Sequence, residues 1–246
     1  LVSLNKKYSE NSIDNALDIN VRITWKLLEK FSKLLLKKFI YLSTIHVTDA
    51  LINSSKSDHN YKPKSKYALT HLMSEEICNY YNRKTETECI SIRLSNSYGE
   101  PLLKNTKCWE LILNELVLMA YKKNSIILKS DGSSLCNFIH FTDVCHSIKN
   151  LIDNIEIKLI NKVIYVQSNE IHRIIGAAQK VQSIFYNRYK KTIPIYVNKN
   201  KLLKKSLSSD SNVFKPKYLE KKINIIKNFK SIDEGINNLF KYLETN

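Results

Sequence analysis

Two tracts of this 246-residue chain carry side chains suited together to moving a proton. In Tyr67-Ala-Leu-Thr-His71 a phenol and an imidazole stand four residues apart, so a helix points both to one side. Ser74 and Cys78 continue that side. Leu69, Leu72, Met73, Ile77 and Tyr80 form the other, the face expected to pack on a sheet. Upstream, Ser43-Thr44 closes a bulky run that begins at Phe39. Ligands of open parallel sheets sit at the carboxyl ends of the strands, and a phenol meeting a hydroxyl there can handle the proton of a substrate alcohol. Taken alone, the same residues also fit plainer roles. A Tyr–His pair on a helix is often packing or surface, and Ser-Thr after a strand often caps a turn.

The surrounding patterns say how such residues would be held. Asn15 to Lys37 reads as a helix, with apolar residues returning on a 3.6-residue period. Phe39 to Thr44 reads as a buried strand, and the polar stretch that follows, to Lys66, as loop. Tyr67 to Tyr81 is a second helix and Glu88 to Leu94 a second strand. That cadence predicts a doubly wound parallel sheet, α/β in class. Beyond Gly99 the rhythm loosens. Helices are expected over Trp109–Tyr121, Thr142–Ile152, Ile171–Tyr189 and Asp233–Tyr242. Strands are expected over Ser125–Lys129, Phe138–Phe141 and Val163–Val166, with an extended piece at Ile193–Tyr196.

Composition narrows the classes. No run of about 18 apolar residues occurs, so a membrane span is not expected. Cys78, Cys89, Cys108, Cys136 and Cys145 are scattered, with no C-x-x-C pair, which fits free thiols in a reducing cytoplasm. The formal net charge of +16 raises a nucleic-acid reading. Most of that charge is lysine within a chain rich in Lys, Asn and Ile throughout, and its densest stretch, Lys199 to Lys205, lies near the tail. A solvated basic surface is the simpler account, and a nucleic-acid partner is not expected. His140 and His146, six apart with Asp143 between, do not share a helical face, so no metal is expected either.

Several segments, in order, resemble those of extended short-chain dehydrogenases, in particular the NAD-dependent epimerase/dehydratase family. Phe39-Ile-Tyr-Leu-Ser-Thr-Ile-His-Val47 resembles the strand whose hydroxyl residue works with a tyrosine. Tyr67-Ala-Leu-Thr-His-Leu-Met-Ser-Glu-Glu76 resembles the Tyr-x-x-x-Lys helix. Ile92-Arg-Leu-Ser-Asn-Ser-Tyr-Gly-Glu-Pro101 resembles the Arg-x-x-Asn-x-x-Gly-Pro segment, and the tract from Asp131 to Val144 the Gly-x-x-x-Arg-Asp-Phe-Ile-His-Val-Asp-Asp-Val segment. Asn20-Val-x-x-Thr24 is similar to Asn-Val-x-Gly-Thr. The resemblance implies a Rossmann-like sheet lacking its first strands, with a partial NAD(P)-binding domain over residues 1–100. Residues 101–246 would complete that domain and add a smaller substrate-binding part.

It further implies an oxidoreductase or isomerase that uses NAD or NADP on a nucleotide-sugar or related polyol, and it allows a homodimer. Tyr67 would be the acid/base, Thr44 and Ser43 would hold the reacting oxygen, and His71 would stand where the family has lysine. Tyr67, His71 and Asn20 would meet the cofactor, with Asn20 more architectural than the others, and Asn96 would meet the substrate diphosphate. His140 and Asp143 are expected to be mainly structural.

Leu1 would fall just after the fourth strand, so the phosphate-binding loop expected of the full-length protein would precede it. The chain alone is therefore expected to fold poorly and to bind a dinucleotide weakly. The departures are specific. Histidine replaces the lysine, Ile23 a glycine, and Cys136-Asn137 the Arg-Asp pair. They keep a catalytically inactive or truncated relative as an alternative, beside a basic interaction protein.

Overall fold

A computed structural model of the chain describes residues 6–34, 36–48, 61–103, 106–153, 163–198, 201–202 and 229–246. Its helices are α1 Lys6–Asn11, α2 Ile13–Ala16, α3 Ile23–Phe31, α4 Lys66–Lys84, α5 Ile112–Lys123, α6 Phe141–Asp153, α7 Ile174–Tyr189 and α8 Ile232–Thr245. Its strands are β1 Lys38–Thr44, β2 Glu88–Leu94, β3 Asn96–Tyr98, β4 Ile126–Ile127, β5 Leu135–His140, β6 Val163–Val166, β7 Ile171–Arg173, β8 Ile195–Val197 and β9 Lys201–Leu202. The chain divides into two compact units. The first comprises Leu1–Leu94 with Asn150–Val166, and the second comprises Ser95–Lys149 with Gln167–Asn246. Most of the polar stretch before Lys66 and of the basic stretch 199–205 lies outside the described residues.

The first unit is built on a parallel sheet of order β1-β2-β6. Its register runs from Lys38 opposite Glu88 to Thr44 opposite Leu94, the parallel pairing predicted for these strands. β6 flanks β2 only from Ser91 to Leu94. Before that point the Asn82 side chain takes the edge, donating to the Cys89 carbonyl at 2.8 Å and accepting from the Cys89 N–H at 2.7 Å.

The helix predicted over 15–37 is a composite. α2 runs into a π-helical turn, Leu17–Arg22, which leads into α3 and then a 3-10 turn, Ser32–Leu34. At the π-turn the Ile23 N–H reaches back to the Asp18 carbonyl, and Asn20 turns inward and is buried.

α4 begins at Ser65, whose hydroxyl accepts from the Ala68 N–H at 3.1 Å, and ends at Thr85. Its orientation corrects the expected face. Leu69, Met73 and Tyr80 lie on the exposed surface, whereas His71, Ser74, Glu75 and Cys78 are buried with Ile77. The polar stripe goes inward because the sheet beneath it is itself polar at matching positions. Arg93 of β2 is buried and needs a counter-charge, which α4 supplies.

Arg93 and Glu75 form a bidentate ion pair, Nε to Oε1 at 3.0 Å and Nη2 to Oε2 at 2.6 Å, with each side chain 1% exposed. Ser43 of β1 donates to Glu75 Oε1, and Arg93 Nη1 donates to the Tyr165 hydroxyl of β6 at 2.7 Å. The Tyr61 and Tyr165 rings lie 5.2 and 5.4 Å from the guanidinium carbon. Burial pulls the guanidinium toward its neutral form, and the Glu75 carboxylate more than offsets this, leaving its pKa above the ordinary value.

In the second unit β3 pairs parallel with β5. β5 pairs antiparallel with β7, and β4 and β8 form a second small sheet with β9. The helix predicted from Ile171 thus starts only at Ile174. The three residues before it alternate and pair with Leu135–Asn137, so sheet pairing overrides the helical pattern. Val117, Ala120, Val181, Phe185, Leu239 and Phe240 belong to the core where α5, α7 and α8 pack. Gly235 lets α8 approach Tyr98, since a Cβ there would meet that ring at 2.4 Å.

Replacing Glu75 by Ala strands a buried guanidinium and is expected to cost about 3–5 kcal/mol of unfolding free energy. The double change Glu75→Leu with Arg93→Met should cost far less, because it removes both charges. Urea melts compare the two. Equal losses would show that charge compensation is not what this contact contributes.

Candidate active site

The predicted acid/base residue opens α4 and stays half-buried. Tyr67 and His71 are brought together as the four-residue spacing requires, ring centroids 4.5 Å apart and nearly edge-to-face. His71 is 1% exposed. Its Nδ1 lies 2.9 Å from the hydroxyl of Tyr41 in β1, a partner to which the sequence reading gave no role. Burial pushes the His71 pKa down to about 4, and repulsion from His46 adds to the shift. His71 is therefore neutral at pH 7 and presents no fixed charge to Tyr67, unlike a lysine. Burial likewise raises the Tyr41 pKa, so that phenol keeps its proton.

The two strand-end hydroxyls part company. Ser43 faces α4 and spends its hydrogen on Glu75. Thr44, last in β1, is buried and caps a 3-10 turn, Ile45–Val47, by accepting from the His46 N–H at 3.3 Å. Acceptance leaves the Thr44 hydrogen available for donation. The turn packs against α4, which places His46 near enough to His71 to act on its charge.

Asn20 is latched to α4 from the π-turn. Its side-chain amide donates to Thr70 Oγ1 at 3.1 Å, and its backbone carbonyl accepts from Ser74 Oγ at 2.7 Å and from Thr24 Oγ1 at 2.6 Å. Those bonds serve the helix packing.

In the second unit the Asn96 amide donates to the Asn137 carbonyl at 3.2 Å. Asn137 ties down the β6–β7 turn by donating to the Ser168 and Glu170 carbonyls and accepting from the Ser168 N–H. His140 Nε2 lies 3.1 Å from Glu100 and Asp143 accepts from the Lys230 N–H, so both take part in holding local structure. Among the described residues no group of three or more His, Cys, Asp or Glu is placed to hold a metal, and no helix is long and apolar enough to cross a membrane.

Residues 4–166 match the model of the NAD dependent epimerase/dehydratase family. The chain belongs to this family.

A putative UDP-glucose 4-epimerase of Methanocaldococcus jannaschii is 30% identical over 139 residues, 54% of this chain and 45% of that protein. The chain thus matches less than half the length of that curated relative. Two solved structures share the fold over the whole of this chain and 76% of their own. One is TunA, a NAD-dependent NDP-hexosamine 5,6-dehydratase of tunicamycin biosynthesis, with TM-score 0.77 and 17% identity. The other is the UDP-glucose 4-epimerase of Thermotoga maritima with UDP-glucose, with TM-score 0.73 and 16% identity. The likeness establishes a Rossmann-like α/β fold for this epimerase/dehydratase chain.

The family's cofactor can be weighed against the residues present. Tyr67, His71 and Thr44 offer hydroxyl and imidazole groups suited to the reactive end of a dinucleotide. The first unit contains no glycine, since Gly99, Gly132, Gly176 and Gly235 all fall in the second, so it provides no glycine-rich turn for the diphosphate.

The low pKa of His71 has a consequence for stability. The unfolded chain protonates this ring near pH 6.5, the folded one only near 4. Between those values the unfolded state binds more protons, so stability is fully present above 6.5 and falls as pH drops toward 4, by about 3 kcal/mol in all. Denaturant melts across that window should show a shallower loss in His71→Gln than in the wild type. An identical slope in both would place the titrating group elsewhere.

Proposed function

We propose that the protein acts in the oxidation and reduction of a sugar carbon in a nucleotide-linked sugar, as an NAD(P)-dependent epimerase or dehydratase, with Tyr67 as acid/base. The observation that carries this reading is the pairing of Tyr67 with His71 at the head of α4, beside a strand end where Thr44 keeps a hydrogen to donate. NAD, when bound, supplies the hydride acceptor. Tyr67 takes the proton from the substrate hydroxyl and later returns it. Thr44 donates to the same oxygen and holds it in place. Ser43, committed to Glu75, fixes α4 rather than the substrate. His71 contributes an uncharged ring and so gives Tyr67 no fixed positive charge. Asn96 is suited by type to a substrate phosphate oxygen.

The test is turnover of UDP-glucose and related sugar nucleotides with NAD or NADP, using the protein together with whatever its coding sequence places before Leu1. Tyr67→Phe is expected to lower kcat by about 10²–10⁴-fold with KM little changed, as for a group acting in the transition state. Full activity without the Tyr67 hydroxyl would sink the assignment. Absence of turnover in the wild type would favour the inactive-relative reading, which the neutral His71 supports.

We further propose that a second copy covers the exposed apolar face of the first unit. Trp25 of α3 and Tyr80 of α4 stack with centroids 6.1 Å apart while remaining 46% and 42% exposed, and Leu69 and Met73 extend the patch along α4. Light scattering should give the mass of a dimer, and Trp25→Glu with Met73→Glu should give that of a monomer. A wild-type monomer at all concentrations would refute the interface.

A further inference from the structure

β5 runs into α6 with no residue between them, His140 ending the strand and Phe141 opening the helix. The first N–H groups of a helix have no partner within it, so the last residue of the strand is the one placed to meet them. Short oxygen-bearing side chains usually do this, by accepting from the second or third helical N–H. Here an imidazole does it. The Thr142 backbone N–H donates to His140 Nδ1 at 3.2 Å.

A backbone N–H can only donate, so Nδ1 is bare and the ring proton sits on Nε2. The other end of the ring agrees. Nε2 lies 3.1 Å from Glu100 Oε2, and a carboxylate can only accept. The Thr142 hydroxyl, 3.0 Å from Nδ1, turns its hydrogen to suit. The ring reaches both partners because β3 and β5 pair in parallel with Tyr98 opposite His140. Gly99, the next residue, has a φ of +143° and no side chain, and a Cβ there would meet Nε2 at 2.9 Å. Asn114 holds that glycine by both backbone groups, accepting from its N–H at 3.1 Å and donating to its carbonyl at 2.8 Å.

We infer that His140 is the N-cap of α6 and that a second ring proton removes the cap, making the first turn of this helix sensitive to pH. The new proton has one place to go, Nδ1, and there it displaces the Thr142 N–H. The positive ring then also faces the positive end of the helix dipole. Its charged surroundings are mixed. Glu100 and Asp143 favour the second proton and Lys230 opposes it, while the Tyr98 ring, edge-on at 5.2 Å, keeps its own proton. Burial outweighs the carboxylates and holds the His140 pKa below its ordinary 6.5. The cap is thus present above pH 6.5 and is lost as pH falls through the lowered value. Asp143 of the same turn accepts from the Lys230 N–H at 3.0 Å, so loosening that turn also loosens the approach to α8. The inference owes nothing to the function proposed above.

Proton–carbon spectra of the histidine rings and proton–nitrogen spectra of the threonine amides follow both ends of the cap. They are recorded on the protein with whatever its coding sequence places before Leu1. His140→Asn and Thr142→Ser identify the two signals. As pH falls below 6.5 the His140 ring should titrate, and the Thr142 amide should shift with the same midpoint. Its hydrogen exchange, corrected for the intrinsic dependence on pH, should quicken about fivefold, as the loss of one cap implies. In His140→Asn, whose side-chain oxygen caps without titrating, the Thr142 amide should hold its position throughout. In Glu100→Gln, which keeps an acceptor at Nε2 but removes the charge, both midpoints should move together to lower pH. A ring that titrates while the Thr142 amide stays put overturns the inference, as does a ring that stays neutral until the protein unfolds. A His140→Asn amide that responds like the wild type does the same. Should that variant not fold, Glu100→Gln decides, and midpoints that separate or fail to fall count against the cap.

Discussion

The buried pairing of Arg93 with Glu75 governs the architecture of the first unit. A guanidinium deep in a β-strand is tolerable only if its charge is compensated. Glu75 meets two of its N–H donors, the Tyr165 hydroxyl a third, and the Tyr61 and Tyr165 ring centroids lie 5.2 and 5.4 Å from its central carbon. Because the carboxylate belongs to α4, the helix cannot rotate about its axis without breaking the pair. That rotational setting turns His71 inward, brings it under Tyr41 and stations Tyr67 at the rim. Ser43 adds a second tether from β1 to the same carboxylate. The site geometry is thus inherited from an ion pair that does no chemistry.

This also explains what the sequence allowed and what it hid. The strands Phe39–Thr44 and Glu88–Leu94 and the helix from Tyr67 were legible from apolar runs of the right length. The Tyr67–His71 contact was legible because i, i+4 geometry is local. The inward face of α4 was not legible, because a hydrophobicity pattern ranks Leu69 and Met73 above Glu75 and His71. One signal did exist: a single arginine in Glu-Cys-Ile-Ser-Ile-Arg-Leu demands a carboxylate from a neighbouring element. Asn96–Tyr98 and Ile171–Arg173 escaped notice as strands since pieces of three residues are set by their partners, not by their own propensity. The roles of Asn20, Asn96 and Asn137 follow the same rule. Each amide is engaged with groups far away in sequence, and spacing alone cannot reveal those partners.

A histidine at position 71, where the resemblance leads one to expect a lysine, sets the electrostatics of the site by being buried and neutral. A lysine at the end of its four-carbon stem can carry charge to a partly wet rim. An imidazole at the same backbone position lies closer to the helix, within the apolar and aromatic layer formed with Tyr41 and Tyr67. Desolvation then decides its protonation. The Cys136-Asn137 substitution has a parallel effect in the second unit. The buried pair there is neutral, and Asn137 is absorbed into the turn it stabilises.

The Asn82 side chain grips both backbone groups of Cys89, and that grip amounts to an index mark on the sheet. A strand paired on one side only in its first half is free to creep along its neighbour. In a strand a shift of one residue reverses the facing of every side chain. Were β2 to slip by a single position against β1, an aliphatic residue would arrive beneath Glu75, and the guanidinium would swing to the opposite face of the sheet. An amide that fits one N–H and one C=O of the same residue cannot follow such a step. The last full turn of α4 therefore acts as a ratchet pawl for β2, at the far end of the helix from the side chains proposed to do the chemistry.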